Sequence, residues 1–361
     1  MKVDPDLANG ARNLLINCAG LKEGSTLLIL RENPSLGWYD LEAPLAVASE
    51  AQKMNVHPTV LEVGAPGNLP DPSVDEEIGN HDCIIFFARL GDQERFTDTM
   101  PGKTSVMCYA RNAEMLASTY GQTDHRALVD LKNAVNDILL GPDKIDISCP
   151  MGTAFSGRLT KEETSTDVFI HRFPLGVTQP IPADNYSGRV VLTRYLTPTG
   201  SKVYEPAFLK LDSPVFAEVE LGRVVAFTGE PSVVRQVHEH YRMVADKFSI
   251  ESDVVHSWHA GIHPGCKYTA DAAENPDRWS NTTFTNPRFL HLHTCGNYAP
   301  GEICWMVLDP TVSIGAKILW EKGRLRTDTF SGLRRCLESW PELGILFAEP
   351  SDLIGLPDEQ F

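Results

Sequence analysis

Five of the chain's eleven histidines lie between Asp253 and Pro310: His256, His259 and His263 in DVVHSWHAGIHPG, then His291 and His293 in FLHLHTCGNYAPGE. Asp309 follows in CWMVLDPTV. In HLHT one residue separates two histidines, and the flanking Phe289, Leu290 and Leu292 favour a strand. Side chains alternate along a strand, so His291 and His293 are expected on one face. Neutral imidazoles converging with a carboxylate are a recurrent recipe for zinc or non-haem Fe(II). Two histidines and one carboxylate on one side of an ion leave positions open for substrate and O2, which favours a mononuclear site. A two-ion hydrolytic site needs more carboxylates, to bridge and neutralise two cations.

The elements that must position these residues follow two patterns. Up to about residue 143, strand-like runs (STLLILRE, HPTVLEVG, CIIFFA, TSVMC) alternate with helical ones (LEAPLAVASEAQKM, HRALVDLKNAVNDILLG). That alternation predicts a doubly wound parallel α/β layer. It carries neither GxGxxG nor GxxxxGK[ST], so it is not read as a nucleotide domain. From residue 144 onward, short alternating strands bounded by Gly, Pro and Asp take over, with Leu221-Gly222 as a hairpin signal and EPSVVRQVHEHYRMVADKF as the one clear helix. The expected division is an N-terminal α/β domain over 1–144 and a mixed α/β C-terminal domain over 145–361 that carries the metal site. His238 and His240 fall on different faces of that helix and read as surface residues.

Composition bounds the function. The chain has 361 residues, 42% of them hydrophobic, enough for two cores. A net charge of −16 opposes nucleic-acid binding, which needs a basic face. The apolar runs are too short to span a bilayer. Eight scattered cysteines without a CxxC pair, and an N-terminus without an apolar leader core, point to a reducing, cytoplasmic setting.

Several segments taken together, FPLGVTQPIPADNYSGRVV, VELGRVVAFTGEPSVVRQV, DVVHSWHAGIHPG, HLHTCGNY and VLDPTV, resemble the thermophilic metal aminopeptidases (the M29 class). They resemble still more the oxygenase relatives of that class, of the 2,5-dihydroxypyridine 5,6-dioxygenase type. The resemblance covers most of the chain. It implies a metal-dependent enzyme: a ring-cleaving Fe(II) dioxygenase acting with O2 on a hydroxylated aromatic or N-heteroaromatic molecule, or alternatively an aminopeptidase using zinc or cobalt. A third alternative is a scaffold relative without catalysis. The resemblance also implies a homo-oligomer.

Residue by residue, the acid that the peptidases carry before a T-A-P-like turn is missing from Phe173 to Thr178. At the place of a second acid the chain offers His256 or His259. The family's His with Tyr seven residues later is matched by His291 and Tyr298, and its final His-x-Asp is half matched, by Asp309 with Val307 at the His place. The simplest ligand set is therefore His256, His291 and Asp309, although His293 is also placed to supply a ligand, and an ungapped count back from Gly261 puts Ser257 at the ligand place with His259 on its face. His259, His293 and Tyr298 are the acid–base candidates, since His and Tyr donate or accept protons at working pH. His171, beside the Pro-rich turn, is a candidate to face substrate. Glu302 reads as a loop acid, Trp258 and Trp305 as candidate aromatic walls, and Arg172 as a candidate anion holder.

Overall fold

The computed structural model describes residues 4–67, 72–94, 102–159, 169–200, 204–297 and 301–357. The first sheet is built from β1 (Thr26–Glu32), β2 (His57–Val63), β3 (Cys83–Phe87) and β4 (Thr104–Cys108), all parallel. β1 and β3 are near-continuous apolar runs with almost no exposed position, as a parallel strand covered on both faces demands. β5 (Ile145–Ser148) and β6 (Ala154–Gly157) leave this sheet, and β7 (His171–Phe173) returns to pair with β4, giving the order β2-β1-β3-β4-β7.

The remaining strands form two antiparallel sheets. They are β8 (Ile181–Pro182), β9 (Ser187–Leu192), β10 (Tyr195–Pro198), β11 (Leu209–Lys210), β12 (Val215–Glu220), β13 (Arg223–Gly229), β14 (Val255–Ala260), β15 (Phe289–Thr294), β16 (Ile303–Leu308), β17 (Thr311–Ile314), β18 (Lys317–Glu321) and β19 (Arg324–Leu325). One sheet runs β11-β10-β16-β15-β14-β8, the other β13-β12-β9-β6-β5-β17-β18-β19. The hairpin expected at Leu221-Gly222 joins β12 to β13, and both residues have positive φ (47° and 71°), as a type I′ turn requires. The helix Pro231–Phe248 starts where Glu230 accepts the Val233 N–H.

The mixed α/β architecture is as expected, but the chain does not divide cleanly at residue 144. β7, beyond that point, belongs to the first sheet. The helix His125–Leu139, before it, buries Ala127, Leu128, Leu131, Val135 and Leu139 in the core of the antiparallel sheets. An amphipathic helix goes where its apolar stripe finds a partner, and this stripe faces the second core. Among the described residues no helix is long and apolar enough to cross a membrane.

His238 is exposed, but His240 is buried at 5% exposure with its ring 5.8 Å from Tyr204, which corrects the surface reading for that residue. The helix turns position 240 inward beside Val237, Tyr241 and Val244.

Candidate metal centre

β14 and β15 are adjacent antiparallel strands in which Ser257 faces His293 and His259 faces His291. Period-two alternation therefore gathers His259, His291 and His293 on one face, and β16 extends that face with Cys304 opposite His293 and Met306 opposite His291. The three histidines are 5–7% exposed, and one ring nitrogen from each lies within 4.8 Å of the others. Ring centroids are 5.0 Å apart for His259 and His291, 5.1 Å for His259 and His293, and 5.0 Å for His291 and His293. Among the described residues this is the group of ligand-type side chains that can hold an ion.

The surroundings fit that use. His259 Nδ1 donates to the Thr178 carbonyl at 2.8 Å, which fixes the tautomer and leaves Nε2 as the donor atom. Thr178 is itself fixed: its N–H donates to the Ala260 carbonyl, and its Oγ1 accepts from the Ala260 N–H, each at 3.2 Å. The segment in which the peptidases carry an acid thus supplies a carbonyl that orients a histidine. Phe284 stacks on His291 with centroids 4.7 Å apart and planes 18° apart, and Cys304 Sγ lies 3.6 Å from His293 Nδ1.

The histidines open onto a cleft of about 710 Å³ whose walls include Pro174, Pro180, Phe284, Arg172 and Tyr109. Tyr109 follows the carboxyl end of β4, the side of a parallel sheet where ligands bind, and its hydroxyl donates to buried Asp92 at 2.7 Å. Thr178, Phe284 and Tyr109 carry no sequence signal; alternation along β14 alone favours His259 over His256.

The expected trio of His256, His291 and Asp309 does not converge. His256 is three residues from His259, so alternation along β14 puts it off the His259 face, beside a register irregularity between Val255 and Ser257, and its Nδ1 meets Ser257 Oγ at 2.9 Å. Burial lowers the His256 pKa, and Asp184 partly opposes that. Asp309 leaves the end of β16 with φ 50° and is gripped by Arg288, Nε at 2.7 Å and Nη2 at 2.8 Å. Val307 pairs with Leu290 and points into the core on the opposite face, so its place in the motif does not look onto the histidines.

Trp258 and Trp305 are fully buried in that same core and are not cleft walls. Glu302 is wholly buried at the head of β16, not solvated in a loop; its N–H donates to the Thr294 and Cys295 carbonyls. His171 sits on β7 with Nδ1 against the Cys18 carbonyl at 3.1 Å and lines a different cleft. Arg172 does line the histidine cleft. Tyr298 falls outside the described residues.

No protein-family model matches the chain, and no curated protein matches it. Solved structures do. The chain is similar to 2,5-dihydroxypyridine dioxygenase from Pseudomonas putida KT2440, with a TM-score of 0.60 at 12% identity over 88% of this chain and 96% of that one. It is also similar to wild-type AmpT from Thermus thermophilus, with a TM-score of 0.52 at 12% identity over 89% and 98% of the two chains. Identity this low speaks for the fold alone: a mixed α/β architecture similar to that of these two structures.

Proposed function

We propose that the chain is a mononuclear metal-dependent enzyme, a ring-opening dioxygenase acting on a small hydroxylated aromatic or N-heteroaromatic anion. The observation that carries this reading is the one set, among the described residues, of three buried, mutually facing histidines. The fold similarity to a structure named as a 2,5-dihydroxypyridine dioxygenase supports the choice of an oxygenase.

Three imidazoles bring no negative charge to an ion. A two-ion peptidase centre needs carboxylates to bridge and balance its metals, and among the described residues the cluster contains none. The charge deficit favours an anionic substrate, such as a deprotonated ring hydroxyl. When bound, Fe(II) would supply a coordination site for the substrate oxygen and for O2.

The chain's own groups do the rest. His259, His291 and His293 would hold the ion. Phe284, stacked on His291, and the prolines of the wall give a flat ring an apolar slot. Arg172 reaches the same cleft and suits a ring carboxylate or phenolate. Tyr109 lines the cleft and directs its own proton to Asp92, so its oxygen is the acceptor for a substrate proton, with Asp92 taking up the one it gives away.

The test is metal analysis after anaerobic purification and Fe(II) loading, followed by O2 uptake with dihydroxypyridines and catechols. One iron per chain, with loss of ring absorbance matched one-to-one by O2 consumed, is the expected result. Two zinc or cobalt ions with peptide hydrolysis would establish the aminopeptidase reading instead. No bound metal under these conditions would remove both.

A further inference from the structure

Asn281 lines the histidine cleft from the helix Pro276–Thr283, which begins where the Asn275 side chain accepts the Arg278 N–H. It precedes by three residues Phe284, the ring stacked on His291. Positions three apart lie on one side of a helical turn, with Cβ atoms about 5–6 Å from one another. Asn281 therefore stands one turn from the platform that Phe284 offers a flat ring.

Its amide is held in one orientation. Nδ2 donates to the Asp277 backbone carbonyl at 3.1 Å and to Asp277 Oδ1 at 2.8 Å. A backbone carbonyl can only accept, so turning the amide over would set oxygen against oxygen. Oδ1 is thus the atom turned away from Asp277, and among the described residues it accepts no hydrogen bond. Nor is it one of the buried polar atoms sealed in packing, so it is open to the cleft that its residue lines. Gly200, on the wall of the same cleft, keeps it uncovered: a Cβ there would lie 3.1 Å from Asn281 Oδ1 and 2.9 Å from Asp92 Oδ2. Gly200 has no positive φ, so its bare Cα serves room and not backbone conformation.

We propose that Asn281 is a specificity-determining residue of this cleft, its Oδ1 accepting a hydrogen bond from an N–H or O–H donor on the ring that the histidine-held ion binds. The inference rests on the metal reading for the placement of that ring. An acceptor that water satisfies in an open cleft must find a donor once a ring displaces the water, and a ligand without one leaves it unmatched. A ring N–H and a ring hydroxyl share this chemistry, and the experiment separates them.

The experiment is anaerobic titration of the Fe(II)-loaded full chain with four ligands that offer the ion the same pair of adjacent oxygens. 3-Hydroxy-2-pyridone and catechol differ by N–H against C–H; pyrogallol and 3-methoxycatechol differ by O–H against O–CH3. Asn281→Leu, similar in size but without an acceptor, should reduce the preference for the donor-bearing ligand by at least about fivefold in at least one pair. Loss in the pyridone pair alone marks an N–H, and loss in the pyrogallol pair alone an O–H. If Asn281→Leu does not fold, Asn281→Ser, whose hydroxyl is one bond too short to replace Oδ1, is read in the same way. Smaller changes in both pairs overturn the inference and leave the metal reading standing. Failure of all four ligands to bind the wild-type chain removes both.

Discussion

His259 and His291 sit directly opposite one another on paired strands, their imidazoles stacked with centroids 5.0 Å apart and planes only 8° apart. Two stacked rings with a third, His293, at 72–75° to both form a concave face of nitrogen donors. Replacing His259, His291 or His293 by Ala should each abolish stoichiometric Fe(II) binding. The loss should exceed the roughly 10–100-fold in affinity that removal of a ligand's supporting hydrogen bond costs. His256→Ala should keep the full complement. Metal content of the four variants after anaerobic loading and desalting checks this; retention in all four would mean the ion sits elsewhere.

Asp309 serves structure on this geometry. Its bidentate pair with Arg288 is about one-quarter exposed on each side, and its backbone φ of 50° suits Asp or Asn. Asp309→Asn should therefore leave metal stoichiometry unchanged and lower stability by about 1 kcal/mol. Urea unfolding alongside metal analysis separates the two effects, and loss of metal at unchanged stability would restore Asp309 as a ligand.

Val307 offers a complementary test. Placing a histidine there would complete the His-x-Asp motif on paper, but the side chain points into the core with Leu290 and Trp305. Val307→His should bind no additional metal and should destabilise by about 1–3 kcal/mol, the cost of burying a polar group without a partner. Tighter metal binding by this variant would show that β16 can turn its other face to the cleft.

Acid should unfold the protein early. Burial pushes His240 down to about 4 and His263 down to about 3, against about 6.5 in an unfolded chain. Between those values the unfolded chain takes up protons that the native chain refuses. The stability these neutral histidines allow is thus complete above pH 6.5 and is lost as pH falls towards 4. Each contributes a slope of up to about 1.4 kcal/mol per pH unit. Urea midpoints at pH 7, 6 and 5 should fall in that order, and His240→Gln should flatten the trend by about one such slope. An identical slope in the variant would show that His240 is protonated in the native state.

How much of this was legible in the sequence depended on how local the determinant was. His291 and His293 were readable as one face because period two holds through an uninterrupted apolar strand. His256 and His259 are three residues apart, so period two already puts them on opposite faces of β14, and the register with β15 is what brings the His259 face against His291 and His293. Asp309 looked like a ligand by its neighbours, yet its partner Arg288 lies 21 residues away, across β15 and β16. The boundary at 144 followed a change of texture, whereas β7 and the helix His125–Leu139 are sorted by long-range packing that texture does not record.

One consequence of drawing every donor from two neighbouring strands concerns selectivity. The span between His259 and the β15 histidines is ruled by interstrand hydrogen bonds, which hold adjacent strands about 4.8 Å apart. The sheet acts as a gauge: side chains can pivot, but their roots cannot spread or close to follow an ion of a different radius. On the proposed metal reading, an oxygen-preferring cation such as calcium would find no oxygen ligand in the histidine trio, while ions with nitrogen bonds near 2.1 Å would meet a fixed frame. Discrimination of this kind would be written into the backbone ladder rather than into the cleft's opposite wall.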